Sequence, residues 1–277
     1  MLSGIAELAG QYDGLIVDLW GVVHDGIKPY PGVIECLTAL RDAGKKVVFL
    51  TNAPRRAAGV ARALTAMGIG ADLYTGIMSS GEAVYMAMRD RNEHDFARLG
   101  NRLYHLGPAR DRDIFRELPY FEVATPAEAD FILNTGPDDY LGPDDPSVYE
   151  PALQAGLDAK IPMICANPDL EVIRDGKRII CAGLLAQWYA ARGGDVVQRG
   201  KPDAAIYLPT LALLGTTRER TLVVGDSLRT DMAGAKAAGL DACWVLSGIH
   251  ALKAEEAPQA AAQAGIAPVA ILAAFHW

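Results

Sequence analysis

Short, wholly apolar runs alternate along the chain with longer stretches in which apolar residues recur at helical spacing. Residues 15–17, 47–50 and 221–224 are apolar runs typical of strands buried on both faces of a parallel sheet. Two more strands are predicted, at residues 73–75 and at about residues 242–246, and helices at residues 1–13, 31–44, 54–67, 79–88, 204–214 and 233–238. Strands that alternate with helices of this length predict βαβ units, and therefore an α/β fold with a parallel sheet.

The pattern changes at residues 89–95, a charged stretch typical of a linker or an exposed helix end. A second α/β region follows, with strands predicted at residues 102–106, 120–123, 131–134 and 162–166, a hairpin turn at Asp175 and Gly176, and a helix at residues 182–191. The first pattern returns at about residue 195. We therefore predict a core formed by residues 1–90 and 195–277, with residues 91–194 inserted as a smaller α/β domain, the cap.

The overall composition is that of an ordinary globular protein, with 277 residues, 51% hydrophobic and 22% charged. A net charge of −8 argues against nucleic acid as a partner, because proteins that bind phosphate backbones carry a basic surplus. No segment has the pattern of a signal peptide or a membrane span. The four cysteines lack metal-binding or redox spacing, so we expect a soluble protein of the reducing cytoplasm.

Polar residues follow each of the three apolar runs. Asp18 follows the first, Thr51 and Asn52 end the second, and Asp226 follows the third. Because the carboxyl ends of parallel strands meet at one edge of the sheet, these side chains are expected to converge there. With Lys201, from the Gly-Lys-Pro segment, they would offer oxygen ligands for a metal and donors for a phosphoryl group.

These four signatures, in this order, resemble the haloacid dehalogenase (HAD) superfamily of phosphohydrolases. Within it the sequence is most similar to class IIA, the NagD-like or 4-nitrophenylphosphatase-like group, and the match covers nearly the whole chain. The resemblance implies a Rossmann-like core with an inserted cap and Mg²⁺-dependent hydrolysis of a small phosphorylated metabolite. Relatives in this class often pair through their caps, so a homodimer is a further expectation.

The resemblance also assigns roles to the residues. Asp18 would attack phosphorus and form an aspartyl-phosphate that water then cleaves, while Thr51 and Asn52 donate hydrogen bonds to the phosphoryl oxygens. Lys201 would neutralise Asp18 and the transferring phosphate. Mg²⁺ would be held by Asp18, the backbone carbonyl of Trp20, and Asp226.

Five more residues are assigned supporting positions. Gly21 lets the chain turn after the nucleophile, Asp231 orients the metal shell or a loop, and Ser227 either caps the next helix or reaches the metal through water. In the cap, Asn167 and Asp169 belong to a stretch that resembles one near the substrate entrance of NagD-like caps. The same stretch also has the composition of an ordinary turn after a strand.

Trp20 is a departure from the family, whose phosphatases usually carry a second Asp two residues after the nucleophile. That Asp protonates the leaving oxygen and then deprotonates water, and an indole can do neither. Three interpretations are open: His24 or Asp25 takes over proton transfer, the substrate has a good leaving group such as an acyl phosphate, or the reaction is dehalogenation. The dehalogenases also carry an aromatic residue here but lack the large cap, which makes the third the weakest.

A non-enzymatic function is an alternative. Without the second Asp the protein would bind a phosphorylated metabolite but not hydrolyse it, and the chain would then be a phosphometabolite-binding or regulatory protein. We favour the phosphohydrolase, because the nucleophile, the metal ligands and Lys201 are all in place.

Overall fold

The computed structural model describes residues 1–138, 144–174, 177–247 and 253–277. Its strands are β1 (Gly14–Val17), β2 (Lys46–Thr51), β3 (Gly76–Ser79), β4 (Arg102–Leu106), β5 (Phe121–Glu122), β6 (Phe131–Asn134), β7 (Met163–Cys165), β8 (Glu171–Arg174), β9 (Lys177–Ile180), β10 (Val196–Gln198), β11 (Thr221–Gly225), β12 (Asp241–Val245) and β13 (Ala270–Leu272). Its α-helices are α1 (Ala6–Ala9), α2 (Val33–Asp42), α3 (Ala57–Ala66), α4 (Ser80–Asp90), α5 (His94–Ala97), α6 (Glu150–Asp158), α7 (Ala182–Ala190), α8 (Tyr207–Leu214), α9 (Ala233–Ala238) and α10 (Ala257–Gln263).

Two compact units make up the chain. The first consists of residues Met1–Thr51, Val60–Met78 and Lys201–Trp277, and the second of Asn52–Gly59 and Ser79–Gly200. The domain boundaries predicted from the sequence, after residues 90 and 194, remain a prediction. Those boundaries would put α4 and the segment that forms β10 in the core domain. Both lie in the second unit instead, because they contribute buried residues to its hydrophobic core, among them Val84, Met88 and Val197.

A six-stranded sheet, in the order β13-β12-β11-β1-β2-β3, is the centre of the first unit. Strand β1 pairs in parallel with β11 on one side and β2 on the other, so that Val17 lies between Val224 and Phe49. All four residues of β1 are buried, as expected for a strand covered by helices on both faces. Because the strand order reverses between β1 and β11, a crevice is expected at their carboxyl ends.

The second unit has its own parallel sheet, in the order β10-β7-β6-β4-β5, and a separate antiparallel hairpin formed by β8 and β9. Apolar side chains such as Phe96 and Phe131 on one side, and Leu153 and Tyr189 on the other, form two cores against this sheet. The α/β fold with a smaller inserted α/β domain is therefore confirmed. The turn predicted at Asp175 and Gly176 lies outside the described residues.

Sequence patterns located some short elements wrongly. The strand predicted at residues 73–75 is wrong, because Ala71–Leu73 form a 3-10 turn and the strand is β3, whose Ile77 and Met78 are buried. Strands β10 and β13 went unpredicted, since three residues are too few to show a period. Across the described parts of the chain, no helix combines the length and the apolar character needed to cross a bilayer.

Replacing Phe49 by Ala should destabilise the protein by about 3–5 kcal/mol, because the ring is fully buried in β2 and leaves a cavity. Urea unfolding followed by circular dichroism measures the loss. The control is Leu208→Ala, which truncates a side chain that is 59% exposed and should change stability by no more than about 0.5 kcal/mol. Equal losses in the two variants would contradict the packing described for this sheet.

Candidate active site

The carboxyl ends of β1, β2 and β11 place three of the predicted residues at one edge of the first unit's sheet. Asp18 directly follows β1, and its backbone N–H donates to the carbonyl of Val224 (2.9 Å). Thr51 is the last residue of β2, and Asp226 follows the last residue of β11. All three side chains are buried or nearly so, which fits the floor of a crevice rather than an exposed surface.

Lys201 joins this cluster as a buried cation that two carboxylates share. Its Nζ lies 2.6 Å from Oδ1 of Asp18 and 2.7 Å from Oδ1 of Asp231, and the residue is only 2% exposed. Burial alone lowers the pKa of Lys201, but the two carboxylates outweigh it and raise that pKa above its usual value. Lys201 is therefore a permanent ammonium at the Asp18 carboxylate.

Among the residues that the structure describes, negative charge exceeds positive charge in this cluster. Carboxylate oxygens of Asp18, Asp226 and Asp231 lie within 4.8 Å of one another, with Lys201 as the cation among them. Burial, with repulsion from Asp231 and Asp226, raises the pKa of Asp18 well above its ordinary value, although Lys201 opposes the shift. Hard oxygen donors with surplus negative charge fit a divalent cation such as Mg²⁺ or Ca²⁺.

Asp231 is held by groups of its own segment as well as by Lys201. Its Oδ2 accepts from the backbone N–H of Ser227 (3.2 Å) and from Oγ1 of Thr230 (3.4 Å), within a π-helical turn over Leu228–Met232. Ser227 caps that turn, since its Oγ accepts the N–H of Thr230 (3.3 Å). These bonds suit Asp231 to orient Lys201 and the turn.

Two aromatic residues that the sequence did not single out also support the cluster. Trp244 donates its indole N–H to the backbone carbonyl of Asp226 (2.8 Å), and Tyr207 donates its hydroxyl to the backbone carbonyl of Asp231 (3.4 Å). In the sequence both look like ordinary core residues, and no motif marks them.

Trp20 is built into a compact loop between β1 and α2. Gly21 turns the chain with a φ of +81°, and its N–H donates to the carbonyl of His24 (3.1 Å). The indole of Trp20 lies against Gly26, where a Cβ would come within 2.1 Å of the ring, and meets the His24 ring edge-on at 5.6 Å. The half-buried indole is thus a structural part of the loop.

Both candidate replacements for the second Asp are engaged in the same loop. His24 is 5% exposed and its Nδ1 accepts the N–H of Gly26 (3.0 Å), while burial lowers its pKa to about 4. Oδ1 of Asp25 accepts the N–H groups of Lys28 (2.8 Å) and Ile27 (2.9 Å), and these bonds lower the pKa of Asp25. His24 is therefore neutral at pH 7, and Asp25 is an ionised turn residue.

The remaining predicted residues meet within the second unit. Nδ2 of Asn52 donates to Oδ1 of Asp169 (3.0 Å), and the backbone N–H of Asp169 donates to Oδ1 of Asn167 (3.0 Å). Asn167 thus forms the turn after β7, whereas the Asp169 side chain contacts the residue that directly follows Thr51. Sequence reasoning identified these three residues but not their contacts.

Two family models match the chain. One, described as haloacid dehalogenase-like hydrolase, matches residues 15–120, and the other, described as HAD hydrolase-like, matches residues 198–270. Together they take in Asp18, Thr51, Asn52, Lys201 and Asp226.

Individual relatives agree with these matches. The sugar-phosphatase AraL of Bacillus subtilis is 27% identical over 238 residues, which cover 85% of this chain and 83% of AraL. The glycerol-3-phosphate phosphatase of Rattus norvegicus is 28% identical, over 89% of this chain and 82% of its own. The crystal structure of a haloacid dehalogenase-like hydrolase from Brucella suis is 29% identical, with a TM-score of 0.87 over 99% of this chain and 100% of that one.

Asp226→Asn should stabilise the metal-free protein at pH 7.5 by on the order of 1 kcal/mol, because it removes one of the mutually repelling charges. The pKa of Asp18 is raised on folding, so stability is lost as the pH rises through that pKa; the difference should therefore shrink toward acid pH. Thermal unfolding in EDTA measures both effects.

Mg²⁺ should raise the melting temperature of the wild type but not of Asp226→Asn. Asp42→Asn, a change at an exposed residue of the same unit, is the control and should respond like the wild type. If Asp226→Asn is less stable than the wild type in EDTA at pH 7.5, the proposed excess of negative charge is wrong.

Proposed function

The chain belongs to class IIA of the haloacid dehalogenase superfamily and is a phosphatase-type hydrolase, and we propose that it hydrolyses a small phosphorylated metabolite through an aspartyl-phosphate on Asp18. The observation that carries the proposal is the buried triad in which Lys201 is shared by Asp18 and Asp231, with Asp226 beside them. The sugar-phosphatase and glycerol-3-phosphate phosphatase relatives support a small phosphate ester as substrate.

Asp18 is the nucleophile in this proposal. An oxygen of its carboxylate attacks phosphorus, the bond from phosphorus to the leaving oxygen breaks, and the phosphoryl group is then carried by Asp18. Lys201 opposes protonation of Asp18 and offsets the charge of the incoming phosphate, because its ammonium lies 2.6 Å from the carboxylate. Water then attacks phosphorus, which releases inorganic phosphate and regenerates the carboxylate.

Asp18, Asp226 and the backbone carbonyl of Trp20 are the proposed ligands of Mg²⁺. The bound cation would supply positive charge to the phosphoryl oxygens. Trp244 supports this assignment, since its indole N–H fixes the backbone of Asp226. Asp231, whose two carboxylate oxygens already accept hydrogen bonds, is assigned to orient Lys201.

The loop around Trp20 favours a substrate that needs little protonation of its leaving group. The indole of Trp20 is not a usable acid. Oδ1 of Asp25 accepts two backbone N–H groups, and Nδ1 of His24 accepts the backbone N–H of Gly26. We therefore propose an activated leaving group, as in acyl or aryl phosphates. Homodimerisation and the cytoplasmic location remain predictions.

Asp18→Asn should abolish Mg²⁺-dependent release of 4-nitrophenol from 4-nitrophenyl phosphate, with a loss on the order of 10⁴-fold or more, because the amide is not a nucleophile. Absorbance of the released phenolate measures the rate, with and without EDTA. Asp42→Asn is the matched control, an exposed aspartate in the same unit, and should keep the wild-type rate.

Other results select other functions. Without release that depends on both Asp18 and metal, the chain would be a phosphometabolite-binding protein, and isothermal titration with phosphate esters would detect that capture. Chloride release from 2-chloropropionate would instead indicate dehalogenation.

Trp20→Asp should increase turnover of a phosphate with a poor leaving group, such as phenyl phosphate, by up to about 10²–10⁴-fold, because it restores an acid two residues after the nucleophile. Turnover of 4-nitrophenyl phosphate should change much less, since its leaving group needs little help. The ratio of kcat/KM for the two esters is the measurement.

Trp20→Asn is the matched control, because it removes the same indole packing without adding an acid. An equal gain in both variants would mean that space, rather than proton transfer, limits the reaction. If His24→Ala or Asp25→Asn abolishes turnover of phenyl phosphate and spares the nitrophenyl ester, proton transfer belongs to that residue instead.

A further inference from the structure

The peptide group that joins Asp226 to Ser227 is hydrogen-bonded on both of its sides. Its carbonyl oxygen accepts the indole N–H of Trp244 (2.8 Å), and its N–H donates to Oδ2 of Asp231 (3.2 Å). The C=O and the N–H of a planar trans peptide point in opposite directions, so the two bonds hold the group from opposite sides. Turning this peptide would break both bonds, and its orientation is therefore fixed.

Trp244 reaches this peptide from the neighbouring strand of the first unit. It lies in β12 opposite Gly225, the residue that precedes Asp226, and the parallel pairing of β11 with β12 fixes that register. The residue is only 2% exposed. Because a buried N–H without an acceptor is costly, the indole is held to the carbonyl of Asp226.

The other side of the same peptide leads to the proposed nucleophile. Asp231 accepts the peptide N–H through one carboxylate oxygen and Nζ of Lys201 (2.7 Å) through the other, and that Nζ lies 2.6 Å from Asp18. A hydrogen bond donated to a peptide carbonyl polarises the peptide and strengthens the bond that its N–H donates. The indole of Trp244 thus acts on Asp231 as well as on Asp226.

We propose that Trp244 is a positioning residue for the metal ion, which it affects through the backbone of Asp226 without touching the ion or the substrate. This inference rests on the proposed function, in which Asp226 is a ligand of Mg²⁺. An aspartate side chain is short and has few rotatable bonds, so the orientation of its backbone restricts where its carboxylate can lie. Fixing the peptide after Asp226 therefore restricts the oxygen that the ion would bind.

The coordination chemistry of Mg²⁺ makes this restriction matter. Mg²⁺ requires nearly ideal octahedral geometry, whereas Ca²⁺ accepts flexible arrangements of its oxygen ligands. A displaced carboxylate therefore costs more affinity for Mg²⁺ than for Ca²⁺. Lys201 orients the carboxylates of Asp18 and Asp231 by direct contact, and Trp244 supplies the corresponding constraint on Asp226 through the main chain.

Trp244→Phe should lower the affinity for Mg²⁺ by about 10- to 100-fold, because it keeps an aromatic ring in the core but removes the N–H that fixes Asp226. The affinity for Ca²⁺ should fall by no more than about 3-fold. Isothermal titration of the metal-free protein with MgCl₂ or CaCl₂ measures both affinities. Trp188→Phe is the matched control, since it removes an indole N–H that donates to Glu150 (3.1 Å) in the second unit, and should bind both ions like the wild type.

A second variant separates the loss of the N–H from the loss of packing. Trp244 can be replaced by 3-benzothienylalanine, whose ring has nearly the shape of indole but carries sulfur in place of the N–H. This variant should lose as much Mg²⁺ affinity as Trp244→Phe, with a smaller fall in melting temperature in EDTA. Wild-type affinity for Mg²⁺ in the isostere would overturn the proposal. An equal loss for Mg²⁺ and Ca²⁺ would also overturn it, because Trp244 would then act only on the stability of the core.

These titrations do not depend on turnover, so the role of Trp244 and the proposed reaction can fail independently. If Trp244→Phe shows the selective loss of Mg²⁺ affinity but the wild type has no Asp18-dependent release of 4-nitrophenol, the phosphatase function is wrong and the role of Trp244 stands. If the wild type hydrolyses 4-nitrophenyl phosphate with Mg²⁺ and Trp244→Phe binds Mg²⁺ with unchanged affinity, the phosphatase function stands and the role of Trp244 is wrong.

Discussion

The structure depends on a shortage of positive charge at the carboxyl edge of one parallel sheet. In the part of the chain that the structure describes, three carboxylates come together there, and the buried ammonium of Lys201 lies between two of them. Buried charges are costly unless they are paired, so this arrangement is stable only with a further cation or with a proton on one of the acids. The raised pKa of Asp18 expresses the same imbalance. A site built in this way gives up stability for the capacity to bind a metal and a phosphate.

Much of this site could be predicted because the rules that create it are local. A wholly apolar run predicts a buried parallel strand, and the residue after it must emerge at the carboxyl edge, which located Asp18, Thr51 and Asp226. The contacts that complete the site join residues far apart in the chain. The bond of Trp244 to the carbonyl of Asp226 and that of Asp169 to Asn52 depend on tertiary packing, for which a single sequence carries no signal.

The boundaries of elements were harder to predict for the opposite reason. Helix α4 has an apolar face that would suit either sheet, and only its packing with residues such as Phe96 shows that it belongs to the second unit. The substitution at Trp20 was visible in the sequence, whereas its consequence was not. The indole is accommodated because residue 26 has no side chain, and the neighbouring polar groups are held by backbone contacts.

Gly225 has a consequence for how this protein can evolve. The Asp231 side chain lies across its α-carbon, so that a Cβ at residue 225 would come within 2.2 Å of the Cβ of Asp231. Because Asp231 also holds Lys201, even the smallest enlargement at residue 225 would be transmitted through two side chains to Asp18. A single substitution of Gly225 is therefore expected to be selected against. Gly225 could be replaced only together with a compensating change at Asp231, so the two positions are expected to evolve as a pair.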